Sequence, residues 1–164
     1  MSPDYVTFCD GGCTANPGDI AVAAVVCTPD GEIIVESARL SGQGTNNVAE
    51  YRALRHAIQL SNLVGARQPM FFSDSALVVQ QVNGLWAMKA GGDLAVQHRH
   101  CVDALYKFDR WGLKHVPREQ NKRADWLACK LLGHGRTLKN KPEVALVSCD
   151  HEGRPGWSQL DQSR

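Results

Sequence analysis

The chain has 164 residues, 43% of them hydrophobic, and a formal charge of +1. That suits one domain with one buried core, leaves little room for a second, and gives no bulk charge that would announce a polyanionic partner. No apolar run approaches the roughly 18 residues that span a bilayer, and the opening MSPDYVTFCD lacks the basic start and apolar run of a secretory signal, so a soluble, cytoplasmic chain is expected.

Tyr5 to Cys9 is β-branched and aromatic and runs into Asp10-Gly11-Gly12, which predicts a strand with Asp10 at its tip. A loop through Asn16-Pro17-Gly18 leads to Ile20–Thr28, apolar enough for burial on both faces. Pro29-Asp30-Gly31 then turns the chain into a third strand, Glu32–Leu40. Short connections between the three suggest an antiparallel meander. The SGQGTNN stretch reads as flexible. From Val48 to Leu63 the apolar positions Tyr51, Leu54, Ala57 and Ile58 recur at helical steps, with Asn46 or Asn47 as N-cap and Gly65 closing the helix. Pro69–Asp74 is a short apolar strand ending on a second aspartate, Ser75–Val82 a helix ended by Asn83-Gly84, and Leu94–Phe108 another helix. Trp111–Val116 is a fifth strand, Pro117–Gln120 a connection and Asn121–Leu132 the last helix. The order β-β-β-α-β-α-α-β-α predicts a mixed sheet with helices on its faces. From Gly133 onward the composition turns to Gly, Pro, Lys and Ser, with one apolar run at Val144–Val147: a loose tail or one added edge strand.

The six cysteines are scattered through apolar segments with no CxxC, which favours reduced, packed thiols over disulfides or zinc. Charge is uneven: residues 1–100 carry six Lys/Arg against nine Asp/Glu, and residues 101–142 carry ten against four. That basic region suits a phosphate backbone, or equally a solvated helix face. Trp86, Trp111 and Trp126 read as core or rim packing, with Trp86 in its loop the best candidate for stacking on sugars or bases.

Asp10 and Asp74 close strands, Glu50 lies in the first turns of a helix and Asp125 one turn into another, positions that gather at one end of a mixed sheet. Converging carboxylates repel one another and suit hard cations such as Mg²⁺ or Mn²⁺. Two such ions can activate a water and stabilise the leaving oxygen of a phosphodiester. Taken singly, each acid also fits as a turn, cap or exposed helix residue.

Those residues sit in segments that resemble a known family. FCDGG with Asn16-Pro17-Gly18, TNNVAEYRAL (Thr45–Leu54), SDSALVVQQVNG (Ser73–Gly84) and VPREQNKRADWLA (Val116–Ala128) resemble, in order, the four motifs of type 1 ribonuclease H, over about residues 3–132. The resemblance implies an α/β, ribonuclease H-like fold: a five-stranded mixed sheet in the order 3-2-1-4-5 with helices on both faces. It implies a catalytic domain over 1–132, with 133–164 a tail of unassigned role. It further implies Asp10, Glu50, Asp74 and Asp125 as catalytic and metal-holding residues and two Mg²⁺ or Mn²⁺ ions. The reaction it implies is endonucleolytic hydrolysis of the RNA strand of an RNA/DNA hybrid, leaving 3′-hydroxyl and 5′-phosphate. Gly11, Asn16, Asn46 and Asn47 match residues that touch the nucleic acid, which suits sugar edges in the wide minor groove of an A-like duplex. No organic cofactor and no membrane partner is expected, and a monomer is.

Two features depart from the better-known pattern. The connection before the last helix is only Arg118-Glu119-Gln120, too short for the loop histidine of many members, and His115 lies on the strand. Arg118 resembles the substitute of a short-loop branch; an arginine cannot act as a base near neutral pH, so it would hold phosphate or leaving charge. No basic protruding helix appears between Val82 and Leu94, which leaves Lys89 and the 101–142 basic residues for affinity. The rival reading is a non-catalytic module that keeps the fold to dock nucleic acid or protein; such a module needs none of the four acids. A DDE-type integrase or transposase core expects its last acid at another spacing and DNA-binding appendages.

Overall fold

The computed structural model describes residues 2–133. Its five strands are β1 (Val6–Cys13), β2 (Gly18–Cys27), β3 (Ile33–Gly44), β4 (Met70–Ser73) and β5 (Gly112–His115). Its four α-helices are α1 (Asn46–Leu63), α2 (Ala76–Val82), α3 (Gly92–Leu105) and α4 (Lys122–Leu132). The sheet order is β3-β2-β1-β4-β5, as expected. The first three strands pair antiparallel, and β1, β4 and β5 pair parallel.

Side-chain alternation along the strands splits the interior in two. Cys9, Ile20, Val22, Phe71 and Leu113 point into a large core under α1, α2 and α3. Val6, Phe8, Val25, Met70 and Phe72 point into a smaller one under α4. β2 feeds both cores, which explains why Ile20 to Cys27 is apolar without interruption. Tyr51, Leu54, Ala57 and Ile58 are all fully buried, so the helical period read from the sequence is the face α1 turns to the sheet.

Several boundaries differ from expectation. β1 does not stop at Cys9: β2 pairs with it as far as Cys13↔Ile20, so Asp10 is internal to that ladder. The β4 ladder does end at Cys9↔Ser73, which leaves Asp10 and Asp74 each one residue past the last parallel pair. Residues 41–44, expected to be flexible, belong to β3, paired through Asp19↔Gln43 and Gly18↔Gly44. The Arg52 guanidinium adds a hydrogen bond to the Ser41 carbonyl. The cap of α1 is Thr45, whose hydroxyl accepts from the Val48 N–H at 3.3 Å; Asn46 and Asn47 are the first helical residues. α3 begins at Gly92 and ends at Leu105, two and three residues earlier than predicted, and Arg118–Gln120 forms a 3₁₀ turn. Gly65 follows the end of α1 with φ +80°, a left-handed conformation that glycine adopts without steric cost. The predicted tail, with its apolar run at 144–147, lies outside the described residues. Among those described, no helix is long and apolar enough to cross a membrane.

Candidate active site

Three elements bring Asp10, Glu50 and Asp74 together at the end of the parallel ladder. Asp10 shares strand parity with Val6 and Phe8, Asp74 follows the last residue of β4, and Glu50 is the fifth residue of α1. One carboxylate oxygen from each lies within 4.8 Å of the others. The approach of α1 to β1 depends on Gly11. A Cβ there would collide with the Ala49 carbonyl and sit 3.1 Å from the Glu50 nitrogen. Its missing side chain therefore faces α1. The glycine is explained by packing that puts Glu50 beside Asp10, in addition to any approach of a ligand.

Asp125, on α4, completes the wall of the same open cleft of about 510 Å³, but it stands outside the tight group of three. Its charge is close enough to help hold the Asp10 carboxyl up. Two contacts hold α4 there. The Asn121 side-chain amide donates to the Cys9 carbonyl at 2.8 Å, fixing the start of α4 to the residue before Asp10. Arg123 grips Glu36 of β3 through Nε and Nη2 at 2.7 and 3.1 Å. The Asp125 N–H donates to the Asn121 backbone carbonyl at 3.1 Å, so Asp125 sits one turn above that anchor.

Crowding shows in the ionisation of the acids. Burial, then the charges of Glu50, Asp74 and Asp125, hold the Asp10 carboxyl well above its ordinary range. Burial, followed by Asp74, pushes Glu50 up to about 8 against an opposing bond from the Gly11 amide. Asp74 is raised by burial and by Asp125. One oxygen of Glu50, Oε2, is buried with no hydrogen-bond partner among the described residues. Together these describe a group of three acids whose crowding favours their protonated forms. Among the described residues, the cation lining the cleft is Arg118, which reaches Asp125 Oδ1 at 3.5 Å from a side chain that is 56% exposed, and Asp125 in turn raises its pKa.

The other predicted contact residues are nearby. Asn46 lines the cleft, and Asn16 Oδ1 accepts from the Asn46 backbone N–H at 3.1 Å, tying the β1–β2 loop to the start of α1. Asn47 is exposed one residue along. His115 Nε2 lies 3.2 Å from the Asp74 carbonyl, on the strand and outside the cleft lining. Trp111 is fully buried in the core, Trp126 is half-buried with Lys130 over its ring, and Trp86 is 50% exposed. Of the expected basic surface, Arg123 is committed to Glu36, and Arg136, Lys139 and Lys141 lie outside the described residues. Sequence reasoning missed two cysteines. Cys13 and Cys129 both line the cleft, and Cys129 Sγ donates to Asp125 Oδ1 at 3.5 Å. The signal for Cys129 was its four-residue step from Asp125 on one helix, and Cys13 had none.

Comparison with known proteins agrees with this architecture. Residues 8–131 match the family model described as reverse transcriptase-like. The chain is 38% identical over 125 residues to the ribonuclease HI of Halobacterium salinarum, covering 76% of this chain and 62% of the relative. It therefore spans less than two thirds of that relative's length. The crystal structure of a ribonuclease H1 from the same halophilic archaeon is 36% identical with a TM-score of 0.76, covering 79% of this chain and 97% of that one. The structure of LC11-RNase H1 in complex with RNA/DNA hybrid is 29% identical with a TM-score of 0.72, covering 77% and 94%.

Proposed function

Because the chain belongs to the ribonuclease H family, we propose that it is an endonuclease that hydrolyses the RNA strand of an RNA/DNA hybrid, leaving 3′-hydroxyl and 5′-phosphate ends. The observation that carries this reading is the convergence of Asp10, Glu50 and Asp74 within 4.8 Å from three separate elements. Like charges held that closely cost folding free energy, so the arrangement makes sense as a receptor for positive charge.

The donors fit Mg²⁺ or Mn²⁺. They are carboxylate oxygens, and Glu50 Oε2 is a buried acceptor lacking a donor. Asp10, Glu50 and Asp74 would hold one ion, and Asp10 with Asp125 would hold a second. When bound, such ions supply a nucleophile at neutral pH and neutralise the charge that develops on the leaving oxygen. The chain's own residues do the rest. Arg118 offers a fixed, planar charge at the rim to a phosphate beside the cut. Asn16 orients the start of α1, and Asn46, Asn47 and the Gly11 backbone meet sugar edges, where only the RNA strand carries a 2′-hydroxyl.

A labelled RNA/DNA hybrid, a DNA duplex and a hybrid whose RNA strand has been replaced by DNA at the scissile position test this reading. Each is incubated with Mg²⁺, Mn²⁺ or a chelator. Cutting of the hybrid alone, with either ion and not with chelator, is expected. Comparable cutting of the DNA duplex would make the protein a general nuclease, and no cutting with either ion would leave it a binding module.

A further inference from the structure

A second groove, of about 270 Å³, lies between α1 and the C-terminal half of α3. Among the described residues, none that lines it also lines the catalytic cleft. Its walls carry Arg55, Gln59 and Asn62 from α1, and His100, Asp103 and Lys107 from α3 and the turn after it. We infer that this groove binds a phosphate group that keeps a proton, whether inorganic phosphate or the terminal phosphate of a nucleotide chain, and rejects sulfate and the phosphodiester backbone. The site is independent of the nuclease reading.

Donors outnumber acceptors in these walls. The three α1 residues and the three from the α3 side each follow helical steps of three and four, so each set stands on one face. Between the two sets the Arg55 guanidinium donates to His100 Nδ1 at 3.4 Å, which leaves the ring's own N–H on Nε2 to donate elsewhere. Neither Arg55 nor Lys107 has a carboxylate within ion-pair distance among the described residues. Gln59 Oε1 accepts from Arg39 at 3.2 Å, so the amide nitrogen is its remaining polar end. Fixed positive charge with N–H donors in a concave site suits an oxyanion. The walls are set before a ligand arrives: Cys101, next to His100, is buried and its thiol donates to the Tyr51 carbonyl, one turn before Arg55. Such preorganisation lowers the cost of binding. The volume lies below the roughly 300–1,000 Å³ of pockets that take drug-sized ligands, which suits a small anion. Asp103 decides which anion. An ionised carboxylate only accepts hydrogen bonds, so it repels a fully ionised ligand and accepts from one that keeps an O–H. A phosphate monoester loses its second proton near about pH 6, so a large share still carries one there. Sulfate and phosphodiesters carry none.

The test titrates the whole isotope-labelled protein, in chelator at about pH 6, with inorganic phosphate or with sulfate at equal ionic strength, and follows backbone amide shifts by NMR. Phosphate should give saturable shifts around His100 and Asn62, with an affinity at least about tenfold above that of sulfate. Arg55→Gln and Lys107→Gln, each shown by circular dichroism to be folded, should weaken phosphate binding, the first by at least about tenfold. Asp103→Asn should bind sulfate nearly as well as phosphate. Arg118→Ala, which changes the catalytic cleft alone, should bind phosphate as wild type does. Displacement of phosphate by a trinucleotide ending in 5′-phosphate, and not by its 5′-hydroxyl counterpart, would identify a chain end as the source; displacement by neither would identify free phosphate. Equal affinity for sulfate in wild type, displacement by the 5′-hydroxyl trinucleotide, unchanged binding in folded Arg55→Gln, loss of binding in Arg118→Ala, or no saturable shift at the groove would overturn the inference.

Discussion

Arg118 and Gly11 show how differently single residues at this site work. Arg118 is exposed and its ion pair with Asp125 is long, so its contribution to stability is small, well under about 1 kcal/mol. If its charge meets a phosphate beside the cut, Arg118→Ala should lower kcat by about 30- to 1,000-fold, equivalent to roughly 2–4 kcal/mol of transition-state stabilisation, and Arg118→Lys should recover part. A steady-state assay at saturating hybrid and Mg²⁺ decides it; unchanged kcat would make Arg118 a solvated turn residue. Gly11 is the reverse case, because its side faces backbone that cannot yield. Gly11→Ala should destabilise the fold by about 1–3 kcal/mol in a denaturant titration, and an unchanged midpoint would show that α1 can shift away. The four carboxylates were legible from their motifs. The reason for Gly11 was not, since nothing in Asp-Gly-Gly says which neighbour comes close, and Cys129 was read as a packed thiol because its cleft is formed by residues far away in the chain.

At the scale of elements, the site depends on how α4 is moored. Asn121 is buried and its amide reaches across 112 residues of sequence to the Cys9 carbonyl, next to Asp10. Asn121→Ala should cost about 1–3 kcal/mol, the penalty for leaving a buried backbone acceptor without that donor. It should also lower kcat, because Asp125 loses its register with Asp10. Loss of stability with full activity would show that Arg123 and Glu36 hold the helix unaided. Strand and helix identities were readable wherever period and turn residues agreed, as in Ile20–Cys27 with its Pro29-Asp30-Gly31 turn and in the Tyr51, Leu54, Ile58 face of α1. The misread segments are those where a partner strand overrides local composition. Gly42 and Gly44 suggest flexibility, yet β2 pairs with Gln43 and Gly44 past a register shift, and Gly11 and Gly12 suggest a turn, yet β2 carries β1 on to Cys13. The cap at Thr45 in place of Asn46 or Asn47 is a shift of one or two residues that only hydroxyl geometry reveals.

For the whole molecule, the crowded acids couple folding to pH. Glu50 titrates near 8 in the fold and has an ordinary value of 4.5, and Asp10 and Asp74 are displaced in the same direction. Between those two values the folded state holds more protons than the unfolded one. Stability of the metal-free protein should therefore be greatest below about pH 4.5, as far as this group is concerned, and fall as pH rises toward about 8. Thermal melts across that range in chelator should show the decline, Mg²⁺ should reduce it, and Asp10→Asn should flatten it while leaving the protein as stable as wild type or slightly more so. A metal-free stability that rises steadily from pH 5 to about 8 would contradict the picture of crowded acids.

The central claim, that these carboxylates are a metal-dependent hydrolytic centre for RNA/DNA hybrids, is tested most directly by one cleavage measurement. Wild type and Asp10→Asn, matched for folding by their melts, are incubated with an end-labelled hybrid and Mg²⁺, and the new ends are analysed. Wild type should cut the RNA strand internally to give 3′-hydroxyl and 5′-phosphate, and Asp10→Asn should give no cleavage above the metal-free background. Equal cleavage by the folded Asp10→Asn protein, or products ending in 2′,3′-cyclic phosphate, would contradict it.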